Sequence, residues 1–315
     1  MDMLVAEALS ANASTPRHRG RRAAGIGAWA LVGAAVLELT ARHFISSPFP
    51  CLRASSDPEV MFELRQGIFD VDGYLERLPR ARHQIGADGC QRVGGAPAVL
   101  VLGSSHAFGL GLDQRAVFSE RLREALRARG HDLRGTRNCS VPGQHFMQQV
   151  RVAERALATE AHPLVLVLVA EHHLRRGFDW SQMAPRATLL RWATRASRVA
   201  RLLYLLRLQG AVEAQGTRDE PDARLASGMD RLAAAARARG GAAVIAVLGR
   251  AAHPSFDITA EARRRGIAVV QLSLPPRDAA WTFDGEHWNA RGHQRVAAEL
   301  AAPVDALLRG AAPSR

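Results

Sequence analysis

From Pro97 onward the chain alternates short apolar runs with longer segments whose apolar positions recur at helical spacing. Ala98–Leu102 is the first run, and Ala116–Gly130, with Leu122, Leu126 and a closing glycine, has the pattern of an amphipathic helix. A strand-like stretch lies near His131–Asn138, a turn at Val141-Pro-Gly143, and a helix runs through about Gln148–Thr159. Pro163–Ala170, PLVLVLVA, has no polar alternation and predicts a strand buried on both faces. After a less regular insertion the order resumes: helix Asp222–Arg239, strand Ala242–Leu248, helix Thr259–Arg265, strand Ile267–Leu272 and a closing helix Asn289–Leu308. Strands separated by helices of this length require parallel crossovers, so residues 97–311 are expected to form an α/β, three-layer, doubly wound parallel sheet of the flavodoxin-like kind. Ligands of such sheets bind beyond the carboxyl ends of the strands.

The stretch before Pro97 reads differently. Residues 1–22 form a polar tail ending in Arg17-His-Arg-Gly-Arg-Arg22, and Ala23–Leu37 then carries no charge until Glu38. Residues 23–42 are read as a membrane anchor, with a cleaved signal peptide and a soluble amphipathic helix as the alternatives. The arginines ahead of the apolar segment place the N-terminus inside, so the expectation is a single-pass protein of the inner or plasma membrane with an extracytoplasmic main domain. Residues 43–96, rich in Pro, Ser, Arg and Gly, are read as an extended lead-in that packs along that domain.

Composition narrows the functional classes. The 315 residues are 47% hydrophobic, enough to bury a full core. Aromatic residues make up 5% of the chain, and the formal net charge of +12 is carried by arginine alone, without a lysine. These arginines are scattered along helix-like segments and match no groove-binding motif, so nucleic acid is not an expected partner. In Ala187–Leu208, Arg191, Arg195, Arg198 and Arg201 interleave with leucines and valine; the segment is read either as a cover for the core or as an amphipathic helix on lipid headgroups. Cys51, Cys90 and Cys139 lack metal-ligand spacing. Two readings stand for them: a Cys51–Cys90 pair with Cys139 as a buried thiol, or three reduced packing residues.

The chemistry concentrates at two places. In Pro97–Gly109, PAVLVLGSSHAFG, an apolar strand runs into a Gly-Ser-Ser turn, and Asp284-Gly-Glu-His287 lies near the far end. A serine hydroxyl attacks poorly unless a histidine takes its proton, and the histidine needs a carboxylate to hold its tautomer. Ser105, His287 and Asp284 supply those three groups, and both segments follow predicted strands. His106 is read either as lining the pocket or as a surface histidine, His293 as a capping or packing residue, and Asp113 and Glu171 as solvated charges.

Four blocks in this order resemble the SGNH, or GDSL-type, serine hydrolases, over residues 97–310, and the anchor resembles that of membrane-bound bacterial members. Gly103-Ser104-Ser105 stands where the family has Gly-Asp-Ser. Asn138-Cys-Ser-Val-Pro-Gly143 follows, then Ala170-Glu-His-His173 in place of Gly-x-Asn-Asp, and finally Asp284-Gly-Glu-His287 as the Asp-x-x-His block. The resemblance implies a nucleophile at Ser105 and an oxyanion hole from Ser105, Gly143 and His172, with His173 as the rival donor if the register shifts by one. Two departures mark this chain: Ser104 replaces the aspartate beside the nucleophile, and His172 stands in the asparagine's position.

The expectation is therefore a serine esterase that needs no metal or organic cofactor and acts on a small acyl ester, with an acetyl group on a cell-surface polysaccharide as the candidate substrate. Two alternatives stay open: an O-acyltransferase that passes the acyl group to a sugar hydroxyl, and a non-catalytic glycan-binding or assembly protein.

Overall fold

The computed structural model describes residues 29–40, 51–71, 78–170, 197, 199–200, 203, 221–249, 252–253, 256–273, 281–285 and 287–310. Its centre is an eight-stranded sheet whose five parallel strands are β6 (Pro97–Leu102), β7 (Gly135–Asn138), β8 (Leu164–Ala170), β9 (Ala242–Leu248) and β10 (Ala268–Leu272). They lie in the order β10-β9-β8-β6-β7. β8 is buried along its whole length, as its unbroken Leu-Val pattern requires. Each fully buried side chain of this size contributes about 1.5–3 kcal/mol relative to exposure.

Alternation along the strands builds two cores, one on each face. Leu100, Leu102, Val165, Val167 and Ile245 point to one side, where α4 (Phe146–Thr159), α5 (Asp222–Ala238) and α6 (Ile258–Arg264) cover them. Val99, Val101, Leu164, Leu166 and Val244 point to the other, under α3 (Phe118–Ala128) and α7 (Ala290–Leu308). Three layers result, helix on sheet on helix. A last short helix, α2 (Ser105–Phe108), is separated from β6 by two residues, Gly103 and Ser104.

The sheet departs from the expected all-parallel form. The stretch read as an extended lead-in contains β1 (Leu52–Ala54), β2 (Phe62–Leu64), β3 (Gly67–Val71), β4 (Ala81–Ile85) and β5 (Gln91–Gly94). β1 and β2 pair with each other, whereas β5, β4 and β3 continue the main sheet beyond β7, all antiparallel. The alternation in Ala81–Ile85, buried at every second residue, is the half-buried strand pattern, but flanking Gly and Pro hide it in the sequence. These strands form a third small core in which Leu64, Val71 and Ile85 meet Phe108 of α2 and Val141 of the loop after β7.

The cysteine pairing is a correction. Cys90 bonds to Cys139, and Cys51 is a free, buried thiol, pushed up to about 11 by that burial. Cys51 and Cys90 were candidates for a pair because both lie upstream of the Ser105 turn; antiparallel pairing of β5 with β7 decides otherwise, because it sets Cys90 directly opposite Cys139.

Before the domain, residues 29–40 form a helix, α1, whose side chains face outward; Trp29, Leu31 and Leu39 are all more than half exposed. Among the described residues no helix is long and apolar enough to cross a membrane.

Candidate active site

The position of Ser105 is built by β6 and the turn that follows it. Gly103 is needed there because a Cβ would run into the Ala107 side chain and crowd the Leu168 side chain of β8. The chain then enters α2, with Phe108 N–H donating to the Ser104 carbonyl (2.9 Å) and Gly109 N–H to that of Ser105 (3.1 Å). Ser105 thus opens a helix at the carboxyl end of a central strand. Ser104 is buried, and its hydroxyl has no hydrogen-bond partner among the described residues.

Asp284 and His287 lie in direct contact. His287 Nδ1 lies 2.8 Å from Asp284 Oδ2, and its backbone N–H donates to Asp284 Oδ1 at 2.7 Å. Both side chains keep a small exposed surface, 15% and 13%. Their loop is closed by Phe283 N–H donating to the His287 carbonyl (2.8 Å), and it leads into α7, which Asn289 caps through Arg291 and Gly292 N–H. With Nδ1 committed to the carboxylate, Nε2 is the nitrogen left to take a proton.

His106 reports how the two segments meet. Bonded to Ser105, it stacks against His287 with ring centroids 5.7 Å apart and meets Trp288 edge-on at 5.0 Å. This histidine therefore lies beside the Asp284–His287 pair. His293, buried on α7, accepts from Phe118 N–H at 3.0 Å and ties α7 to α3. Burial pushes it down to about 3, which keeps it neutral. Asp113 also has a structural role, accepting from Arg82 N–H at 3.3 Å.

Gly143 lies in the loop after β7, at the same sheet edge. Its φ of +82° is the left-handed conformation that favours glycine. Val141 N–H donates to the Gly103 carbonyl at 3.1 Å, so this loop is hydrogen-bonded to the turn that presents Ser105. His172, His173 and Glu171 lie outside the described residues, as does most of Ala187–Leu208. Among the described residues no cluster of His, Cys, Asp and Glu is arranged to hold a metal.

Sequence reasoning gave no role to two buried amides, Gln91 and Asn138. Asn138 stands in a recognised block, but the partner of Gln91 is decided by a strand pairing that no local signal announces.

No family profile and no curated protein sequence matches this chain. Several solved structures resemble it over about two thirds of its length. TesA superposes with a TM-score of 0.40 at 19% identity, covering 65% of this chain and 97% of its own. The esterase EstA from Pseudoalteromonas sp. gives 0.43 at 13%, covering 67% and 98%. Axe2, an acetylxylan esterase from Geobacillus stearothermophilus, gives 0.37 at 12%, covering 67% and 95%.

Proposed function

We propose that this protein is a membrane-anchored, extracytoplasmic serine esterase that hydrolyses a small acyl ester, with an acetyl group on a cell-surface glycan as its substrate class. The observation that carries this reading is the Asp284–His287 pair, held on a closed loop whose histidine stacks on the residue after Ser105.

Ser105 Oγ attacks the ester carbonyl carbon while His287 Nε2 takes its proton, and Asp284 holds the resulting imidazolium. Backbone N–H groups of Ser105 and Gly143, with His172 as the third donor, receive the charge on the carbonyl oxygen. The C–O bond to the alcohol then breaks, and His287 returns the proton to the leaving oxygen. Water, deprotonated by His287, attacks the acyl-enzyme; the acid leaves and Ser105 regains its proton.

Two features support this compartment. The Cys90–Cys139 disulfide suits an oxidising environment, and α1 exposes apolar side chains just after the arginine-rich tail. A reporter fused after Arg315 is expected to be active outside the cytoplasm. Cytoplasmic activity, or recovery of the full chain without detergent, overturns the anchor.

Fluorophosphonate labelling tests the chemistry. Wild type is expected to label at Ser105 and to hydrolyse a short-chain activated ester, with Ser105→Ala abolishing both. Labelling unchanged in Ser105→Ala overturns the reading. Acetylated glycan with water or sugar as acceptor then separates hydrolysis from acyl transfer.

A further inference from the structure

α2 is four residues long and cannot hold its own position, since a single turn fixes several dihedrals for very few hydrogen bonds. Its last carbonyls also lack partners within the helix. Two buried amides supply them. Asn138 Nδ2 donates to the Ala107 carbonyl at 2.7 Å, and Gln91 Nε2 donates to the next carbonyl, Phe108, at 3.3 Å. These residues are 3% and 1% exposed and are direct partners across the β5–β7 ladder.

Asn138 does a second thing. Its Oδ1 accepts from Ser140 N–H at 3.0 Å, so one side-chain amide joins the helix that begins with Ser105 to the loop that carries Gly143. The Cys90–Cys139 bond lies one residue beyond the pair on both strands and locks their register. Phe108 and Val141 complete the seat by packing into the small core made by the N-terminal strands.

We infer that Gln91 and Asn138 form a seat for the nucleophile helix, which makes β5 of the N-terminal extension a positioning element for the reaction. The inference rests on the esterase reading of Ser105 and adds to it residues that touch neither substrate nor reacting atoms. Nucleophile and oxyanion donors must share one geometry to a fraction of an ångström, and the amides set the separation between the two backbone segments that carry them. Without the seat α2 and the Gly143 loop still connect to the same strands, so substrate binds; what changes is the alignment at the moment of attack.

The experiment compares Asn138→Leu and Gln91→Met with wild type, using full-length protein in detergent and rates per folded molecule. Gln91→Met keeps the length of the side chain while removing the donor to the Phe108 carbonyl, so its melting temperature is read beside turnover to separate misfolding from misalignment. Asn138→Leu is expected to lower kcat by about 10²-fold and Gln91→Met by roughly tenfold, with KM unchanged, the scale of a small misplacement. An amide pair that merely satisfies buried carbonyls lowers the melting temperature and leaves kcat per folded molecule within about twofold of wild type; that result overturns the inference. Native-state amide exchange supplies a readout independent of turnover. Faster exchange at Phe108, Gly109 and Ser140, with β8 unchanged, supports the seat even if wild type hydrolyses no ester and the esterase reading fails. Unchanged exchange at those three amides in both variants overturns it.

Discussion

Asp284 spends both carboxylate oxygens on His287, one on the ring nitrogen at 2.8 Å and one on the backbone N–H at 2.7 Å. The spacing of three residues makes this possible, because a turn of that length folds the later N–H back over the earlier side chain. The carboxylate is thereby fixed by the same residue whose imidazole it orients. Replacing Asp284 with Asn puts an amide against Nδ1 and favours the wrong tautomer, so kcat is expected to fall by about 10⁴-fold while the loop keeps its shape. Stopped-assay kinetics on a short-chain ester check this, and a loss under tenfold would remove Asp284 from the reaction.

His172 comes two residues after the last residue of β8 in the chain, and the family resemblance sets it in the oxyanion donor's position. If its N–H is the third oxyanion donor, His172→Ala lowers kcat by roughly 10²–10³-fold with little change in stability. His172→Asn recovers part of the loss. A large loss in His173→Ala instead moves the donor by one residue.

Burial pushes His293 down to about 3 and His83 down to about 4, from an ordinary 6.5. In the unfolded chain both protonate below 6.5, whereas in the folded chain they stay neutral until far lower pH. The unfolded state therefore binds more protons in this window. Their stabilising contribution is complete above 6.5 and is lost as pH falls toward 4 and 3, at up to about 1.4 kcal/mol per pH unit for each histidine. Urea unfolding at pH 7 and pH 4.5 is expected to show this slope, and His83→Phe, which keeps the ring against Phe108, to make it shallower. An identical slope in the variant refutes the assignment to His83.

The Cys90–Cys139 bond closes a loop of 49 residues in sequence, and constraint of the unfolded chain on that scale stabilises by about 4 kcal/mol. The Cys90→Ser/Cys139→Ser double variant is expected to lose stability of this order in denaturant titrations. Cys51→Ser leaves the bond intact and is expected to change far less. Equal losses in the two variants would contradict the pairing.

The amino-acid sequence by itself determined the parallel half of the sheet and singled out Ser105, Asp284 and His287 as candidates for one site. β8, β9 and their flanking helices are written in local periodicity, and Ser105, Asp284 and His287 stand in short blocks whose chemistry depends on neighbours a few residues away. Only the tertiary structure decided what depends on pairing between distant segments. Ala81–Ile85 and Gln91–Gly94 become sheet strands because β7 offers an open edge, and that pairing, invisible in either strand alone, sets Cys90 against Cys139 and Gln91 beside Asn138. His106 likewise has no signal that separates a site residue from a surface one until the loop of His287 folds across it. Local order follows from the free energies of adjacent residues, whereas strand order and disulfide partners are set by which edges and faces remain to be buried once the chain has collapsed.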